Sequence, residues 1–267
     1  MNIGPHPSAR PQISHVVFDF DGTLSWLRHG WPELMLNLFV EYFPKPEAAS
    51  AAVRRALLAD ILSLNGKASI HQMRIGAQWI TRQDCVAPDP EELLCDYQRR
   101  LEGAIADRSS AIRNGRAQPD DFLVHGARFL LERLAVRRLK LFILSGTAQN
   151  RVREEAKLLG IAPFFGPNIF GGTSDPVQSD KRVVLERLLR QSNLRGDELL
   201  SFGDGPVEIR ITKELGGLAV GVASDEDQNG SGRMDPHKET QLRAAGADWL
   251  IPDYRDGEAL LTKLLGS

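Results

Sequence analysis

The chain has 267 residues with 33 basic and 35 acidic side chains, and this near balance argues against a nucleic-acid protein, which shows a basic excess or stripe. Hydrophobic residues make up 42% and charged residues 25%, the composition of an ordinary globular chain, long enough for one large domain or two moderate ones. No run approaches the ~18 consecutive apolar residues of a membrane span, and Cys85 and Cys95 form neither a CxxC nor a disulfide framework. The opening MNIGPHPSARPQ lacks a basic and then apolar signal segment, so the expectation is a cytoplasmic protein with no membrane and no nucleic-acid partner.

Two textures follow one another along the chain. SHVVFDFDGTLS (14–25) is a β-branched and aromatic run closed by an Asp-Gly turn, which predicts a buried strand and loop. Residues 26–121 then contain only helical patterns. WPELMLNLFVEYF places Pro32 at a first helical position. PEAASAAVRRALLADILSLNG (46–66) closes on Gly66 as a C-terminal cap. SIHQMRIGAQWI opens on Ser69 and DPEELLCDYQRRLEGAIADRSSAIRNG on Asp89, both good N-caps. From residue 122 helix and strand alternate. FLVHGARFLLERLAVRR (122–138) is predicted as an amphipathic helix, followed by the strand LKLFILSG, helix 149–159, strand 168–171, helix 180–191, strand LLSFGDG, helix 206–215 and strand LAVGVAS. Helix 240–245, strand DWLIP and helix 256–265 close the chain. Alternation of this kind predicts an α/β fold, a doubly wound, mostly parallel sheet covered on both faces, with an inserted all-helical segment. The expected boundaries are 1–25 with 122–267 for the α/β part and 26–121 for the helices.

Ligands of such sheets sit at the carboxyl ends of the strands, and four segments carry polar side chains there: Asp19 and Asp21 in DFDGT, Ser145 in FILSGT, Lys181 in SDKRVV, and Asp204 with Glu208 in FGDGPVEI. Four carboxylates around one crevice repel each other and are costly to dehydrate, unless a divalent cation and a lysine offset their charge. Oxygen donors without clustered His or Cys favour Mg²⁺ over zinc.

These segments, in this order, resemble the haloacid dehalogenase superfamily, in particular its phosphoglycolate-phosphatase-like and β-phosphoglucomutase-like members, over about 1–25 and 122–267. The resemblance implies a Rossmann-like core with a helical cap formed by the insert. It also implies Asp19 as the nucleophile that becomes phosphorylated, Asp21 as general acid/base, Ser145 as a phosphate-holding hydroxyl and Lys181 as the group that steadies nucleophile and phosphate. Asp19, Asp21, Asp204 and Glu208 are the expected Mg²⁺ ligands, with Thr23 and Gly146 on the phosphate side. Glu208 departs from the family pattern, which has Asp four residues after the first acid; its extra methylene lets it bind the metal directly, through a water, or not at all.

The chemistry supports these roles independently. Asp19 is ionised at pH 7 and becomes a ready nucleophile once phosphate charge is neutralised. Asp21, two residues on, is placed to protonate a departing alkoxide. Gly22 permits the tight turn, and Thr23 is expected to fix the loop by a side-chain hydrogen bond. Thr147 rivals Ser145, Lys140 and Lys157 are weaker substitutes for Lys181, and Glu208 also reads as an exposed helical carboxylate. Lys67 and Arg74, with Arg28 and His29, are candidate contacts to the leaving group by charge and position. The reading is a Mg²⁺-dependent phosphatase of small phosphorylated metabolites, monomer or homodimer. A phosphomutase of the β-phosphoglucomutase type and a silent binding protein on the same scaffold are its rivals.

Overall fold

The computed structural model describes residues 8–44, 50–64, 69–173 and 180–266. It divides into two compact units, Met1–Leu27 with Ala111–Ser267, and Arg28–Ser110. The first unit is built on a six-stranded, all-parallel sheet of order β3-β2-β1-β4-β5-β6. Its strands are β1 (His15–Phe18), β2 (Lys140–Ala148), β3 (Ile169–Gly172), β4 (Leu199–Gly203), β5 (Leu218–Val222) and β6 (Trp249–Ile251).

All four residues of β1 are buried, because helices cover both of its faces. Val16 and Phe18 face a core shared with Leu130, Leu131 and Leu134 of α5 (Ala127–Val136) and Val152 and Ala156 of α6 (Gln149–Leu158). Val17 faces the opposite side, where Val184, Leu185 and Leu188 come from the helix Lys181–Gln191. Phe18 stacks on Phe202 of β4 with ring centroids 4.8 Å apart. The chain leaves β1 towards β2 and β3 on one side and later builds β4, β5 and β6 on the other. The strand ends flanking β1 therefore form the crevice that parallel sheets offer to ligands.

Helices α1 (Trp31–Val40), α2 (Ala51–Ser63), α3 (Ile70–Thr81) and α4 (Pro90–Arg113) make up the second unit, α4 running three residues past its boundary. They enclose a separate core of Met35, Phe39, Leu57, Ile61, Met73, Ile80 and Tyr97. Gly76 of α3 lies flat against Phe39: a Cβ there would be 2.3 Å from the ring. Ser50 caps α2 through its hydroxyl, and Asp89 accepts the Glu91 amide at the start of α4. Ser69 stands at the N-cap of α3 without a side-chain cap bond. The expected start of the second helix at 46 and its cap Gly66 lie outside the described residues.

Three boundaries differ from expectation by four residues or more. The α/β unit resumes at 111 and not at 122, because Ile112 and Phe122 pack on its core. The helix expected over 122–138 starts at Ala127: Gly126 before it is left-handed (φ 78°) and packed so closely on the Tyr254 carbonyl that a Cβ would be 2.7 Å away. Phe122 instead ends a short 3-10 helix (Pro119–Phe122) and Leu123 is extended, with the Val124 amide on the Leu24 carbonyl. The helix expected over 240–245 runs Pro236–Ala244, capped by Asp235, which accepts the amides of His237 and Lys238. In chain order the remaining helices are α7 (Ala162–Phe165), α8 (Lys181–Gln191), α9 (Pro206–Glu214), α10 (Pro236–Ala244) and α11 (Gly257–Leu265). Among the described residues no helix is long and apolar enough to cross a membrane.

Candidate active site

Asp19 directly follows β1, and its amide still reaches the Phe202 carbonyl of β4 at 2.9 Å, so the sheet itself fixes its position. The chain then turns sharply, with the amides of Leu24 and Ser25 both on the Phe20 carbonyl. Gly22 sits in the turn at φ 73°, and a Cβ there would be 2.2 Å from Oδ2 of Asp204, so only glycine fits. The buried Tyr254 hydroxyl donates to the Thr23 carbonyl and pins the loop from below. The Thr23 hydroxyl itself, expected to make the fixing hydrogen bond, is buried and finds no partner among the described residues. The loop is held through its backbone.

Three of the expected metal ligands come together. Asp19, Asp204 and Glu208 each offer a carboxylate oxygen within 4.8 Å of the others. Asp204 follows β4, and Glu208 lies in the first turn of α9, where its Oε1 accepts the Gly205 amide at 2.7 Å and caps its own helix. Lys181, the first residue of α8, donates from Nζ to Asp19 Oδ1 at 2.8 Å and to Glu208 Oε2 at 3.1 Å. On the far side Lys238 of α10 contacts Asp204 Oδ2 at 3.0 Å and Glu226 Oε1 at 2.5 Å.

These groups are largely withdrawn from water, and their charges feel each other strongly. Burial, reinforced by Glu208 and Asp204, drives the Asp19 carboxyl well above the usual carboxylate range despite the opposing Lys181. Burial, together with Glu208 and Glu226, pushes Asp204 up to about 6 against the pull of Lys238. Burial works to lower both ammonium groups, yet the facing carboxylates outweigh it and hold Lys181 and Lys238 above the ordinary lysine value. Four carboxylates against two ammonium groups leave two negative charges uncompensated when all are ionised. Oxygen-only donors with that deficit suit a hard divalent cation.

Asp21 does not join the converging carboxylates; its Oδ2 accepts the Thr147 hydroxyl at 2.7 Å. Ser145 is buried within β2, its hydroxyl accepting the Thr147 amide at 3.0 Å, and Gly146 between them is exposed. Ser145 and Thr147 are thus linked to each other, and Thr147 to Asp21. Arg74 is exposed on α3, and Lys67 lies outside the described residues. Sequence reasoning missed Lys238, Glu226 and Ser224, the last of which accepts from Lys238 and donates to the Gly22 carbonyl.

Against known proteins, the family model described as haloacid dehalogenase-like hydrolase matches residues 13–216. No curated protein matches the chain by sequence. Among solved structures, a predicted phosphoglycolate phosphatase from Haemophilus somnus is 17% identical, with 93% of this chain and 98% of that one covered and a TM-score of 0.62. A HAD family hydrolase from Deinococcus radiodurans, with bound phosphate and sodium, is 15% identical over 94% and 96% at TM-score 0.62. A β-phosphoglucomutase from Clostridium difficile is 12% identical over the same shares at 0.56. At these identities the structures share the fold.

Proposed function

Since this chain belongs to the haloacid dehalogenase-like hydrolases, we propose that it is a Mg²⁺-dependent phosphatase acting on a small phosphate monoester through a phosphoaspartate at Asp19. The observation that carries this reading is the convergence of Asp19, Asp204 and Glu208 within 4.8 Å beside Lys181, with Asp21 held two residues away. Asp19, Asp204 and Glu208 would hold the ion. When bound, the ion offsets the negative charge of the phosphate that otherwise repels the nucleophile.

The protein's own groups do the rest. An Asp19 carboxylate oxygen attacks phosphorus, and the bond from phosphorus to the ester oxygen breaks as Asp21 gives that oxygen a proton. Asp21, now ionised, takes a proton from water, whose oxygen attacks phosphorus and releases Asp19 and inorganic phosphate. The Thr147 hydroxyl keeps the Asp21 carboxylate in one orientation through both steps. Lys181 holds Asp19 in place, and the Ser145 hydroxyl together with loop amides takes up charge on the transferring group.

A screen of about 100 phosphorylated metabolites with Mg²⁺ tests the proposal, alongside beryllium fluoride trapping of the phosphate mimic on Asp19. Phosphate release that stops with chelator supports it. Return of the phosphoryl group to a sugar phosphate would assign the mutase reading, and no turnover with any compound would favour a binding role.

A further inference from the structure

Lys238 belongs to none of the four segments that suggest the chemistry, yet it is among the least accessible charged side chains of the described residues, with 7% of its side chain exposed. An ammonium group has three N–H donors, and all three are matched: Asp204 Oδ2 at 3.0 Å, Glu226 Oε1 at 2.5 Å and Ser224 Oγ at 3.0 Å. Ser224 in turn donates to the Gly22 carbonyl at 2.7 Å, tying this lysine to the nucleophile loop. Gly22 closes in on the same Asp204 oxygen from its own side, where a Cβ would come within 2.2 Å of Oδ2 and 3.1 Å of the Lys238 Nζ. One oxygen of Asp204 is therefore held by the ammonium and crowded by Gly22, which leaves Oδ1 as the less encumbered oxygen.

We propose that Lys238 is a positioning residue that confines Asp204 to one-oxygen coordination and thereby biases the site towards magnesium over calcium. This rests on the divalent site proposed above. Magnesium asks for near-octahedral, one-oxygen ligands, whereas calcium gains from carboxylates that offer both oxygens. A fixed ammonium on Oδ2 costs magnesium nothing it needs and denies calcium its second contact. Loss of the lysine would also add one net negative charge to the cluster, which attracts both ions alike. The ratio of the two affinities separates the geometric effect from the charge effect.

The test is calorimetric titration of the metal-free full chain with MgCl₂ and with CaCl₂, for wild type, Lys238→Met and Lys238→Arg. In Lys238→Met the calcium-to-magnesium affinity ratio is expected to rise by about tenfold, while Lys238→Arg, which restores a donor to Oδ2, keeps the wild-type ratio within about threefold. If Lys238→Met fails to fold by circular dichroism, Ser224→Ala, which removes one of the three anchors, should move the ratio the same way by about threefold. Wild-type magnesium binding with a ratio that does not move in the variant overturns this role and leaves the phosphatase reading standing. Wild-type protein that binds neither ion overturns both.

Discussion

The two units handle charge in opposite ways. In the α/β unit Asp19 and Lys238 are buried, and Lys181, Asp204 and Glu208 are nearly so, each tied to a partner of opposite sign. In the helical unit the only polar side chains fully buried among the described residues are Gln72 and Ser109. Among its described residues the ion pairs reach further into solvent, as with Arg100 and Glu41, whose side chains are 29% and 52% exposed. Buried charge costs several kcal/mol per ion unless paired, so a fold keeps it only where something uses it. The difference sets the α/β unit, with its converging paired charges, apart from the helical unit, whose core is apolar.

The comparison breaks most sharply at Asp19. Asp19→Asn is expected to lower turnover of a generic phosphate ester by at least ~10³-fold with the circular dichroism spectrum unchanged, because an amide is not a competent nucleophile. Retained activity would remove the α/β unit's claim to the reaction. The reverse experiment is Gly76→Ala, which drives a methyl into Phe39 and should cost the helical unit about 1–3 kcal/mol, read from its denaturation midpoint. Turnover of a small ester should stay within about twofold of wild type, as no group of the carboxylate cluster is touched.

Thr147→Val sharpens the assignment within the α/β unit. Freed of its donor, Asp21 should lose orientation and kcat should drop by about tenfold with KM unchanged; a change in KM alone would place Thr147 on the substrate instead. The last test is pH. Asp204 is raised to about 6 from 3.8, so the folded chain keeps a proton that the unfolded chain has released. In chelator its contribution to stability is full below about pH 4 and is lost as pH rises through about 6. An ion binds the ionised carboxylate, so the Tm gained on adding Mg²⁺ should grow by a few degrees between about pH 5 and pH 7. A gain independent of pH would take Asp204 out of the ligand set.

Much of this was legible because the informative residues stand in short motifs directly after apolar strands, where periodicity stops and polar side chains begin. Asp19 and Asp204 could be placed that way, and Lys181 as the lysine that opens a helix. Lys238 could not, since a lysine in HKETQLR at the start of a polar helix looks like any solvated surface residue, and only the fold carries its ammonium to Asp204, just past β4. Thr23 misled for the opposite reason: a hydroxyl in a tight turn suggests a local bond, but the Tyr254 hydroxyl, 231 residues away, holds the loop through the Thr23 carbonyl. At Gly126 the helical apolar spacing continues from Leu123 through a residue whose positive φ breaks the helix. Asp235-Pro236 carried a legible start signal for α10, a capping Asp before a Pro, which the weaker pattern at 240–245 obscured.

The central place of β1 also sets the order in which the protein can be made. His15 pairs with Lys140 on one side and with Leu199 on the other, so this apolar strand leaves the ribosome long before either neighbour exists. At 5–20 residues per second it waits roughly 10–40 s for β4. The helical unit is continuous from 28 to 110 and its first three helices pack on one another, so it can fold during that interval. The segment that interrupts the sheet in sequence thus fills the delay with a folded body, leaving only the short, four-residue β1 unpaired.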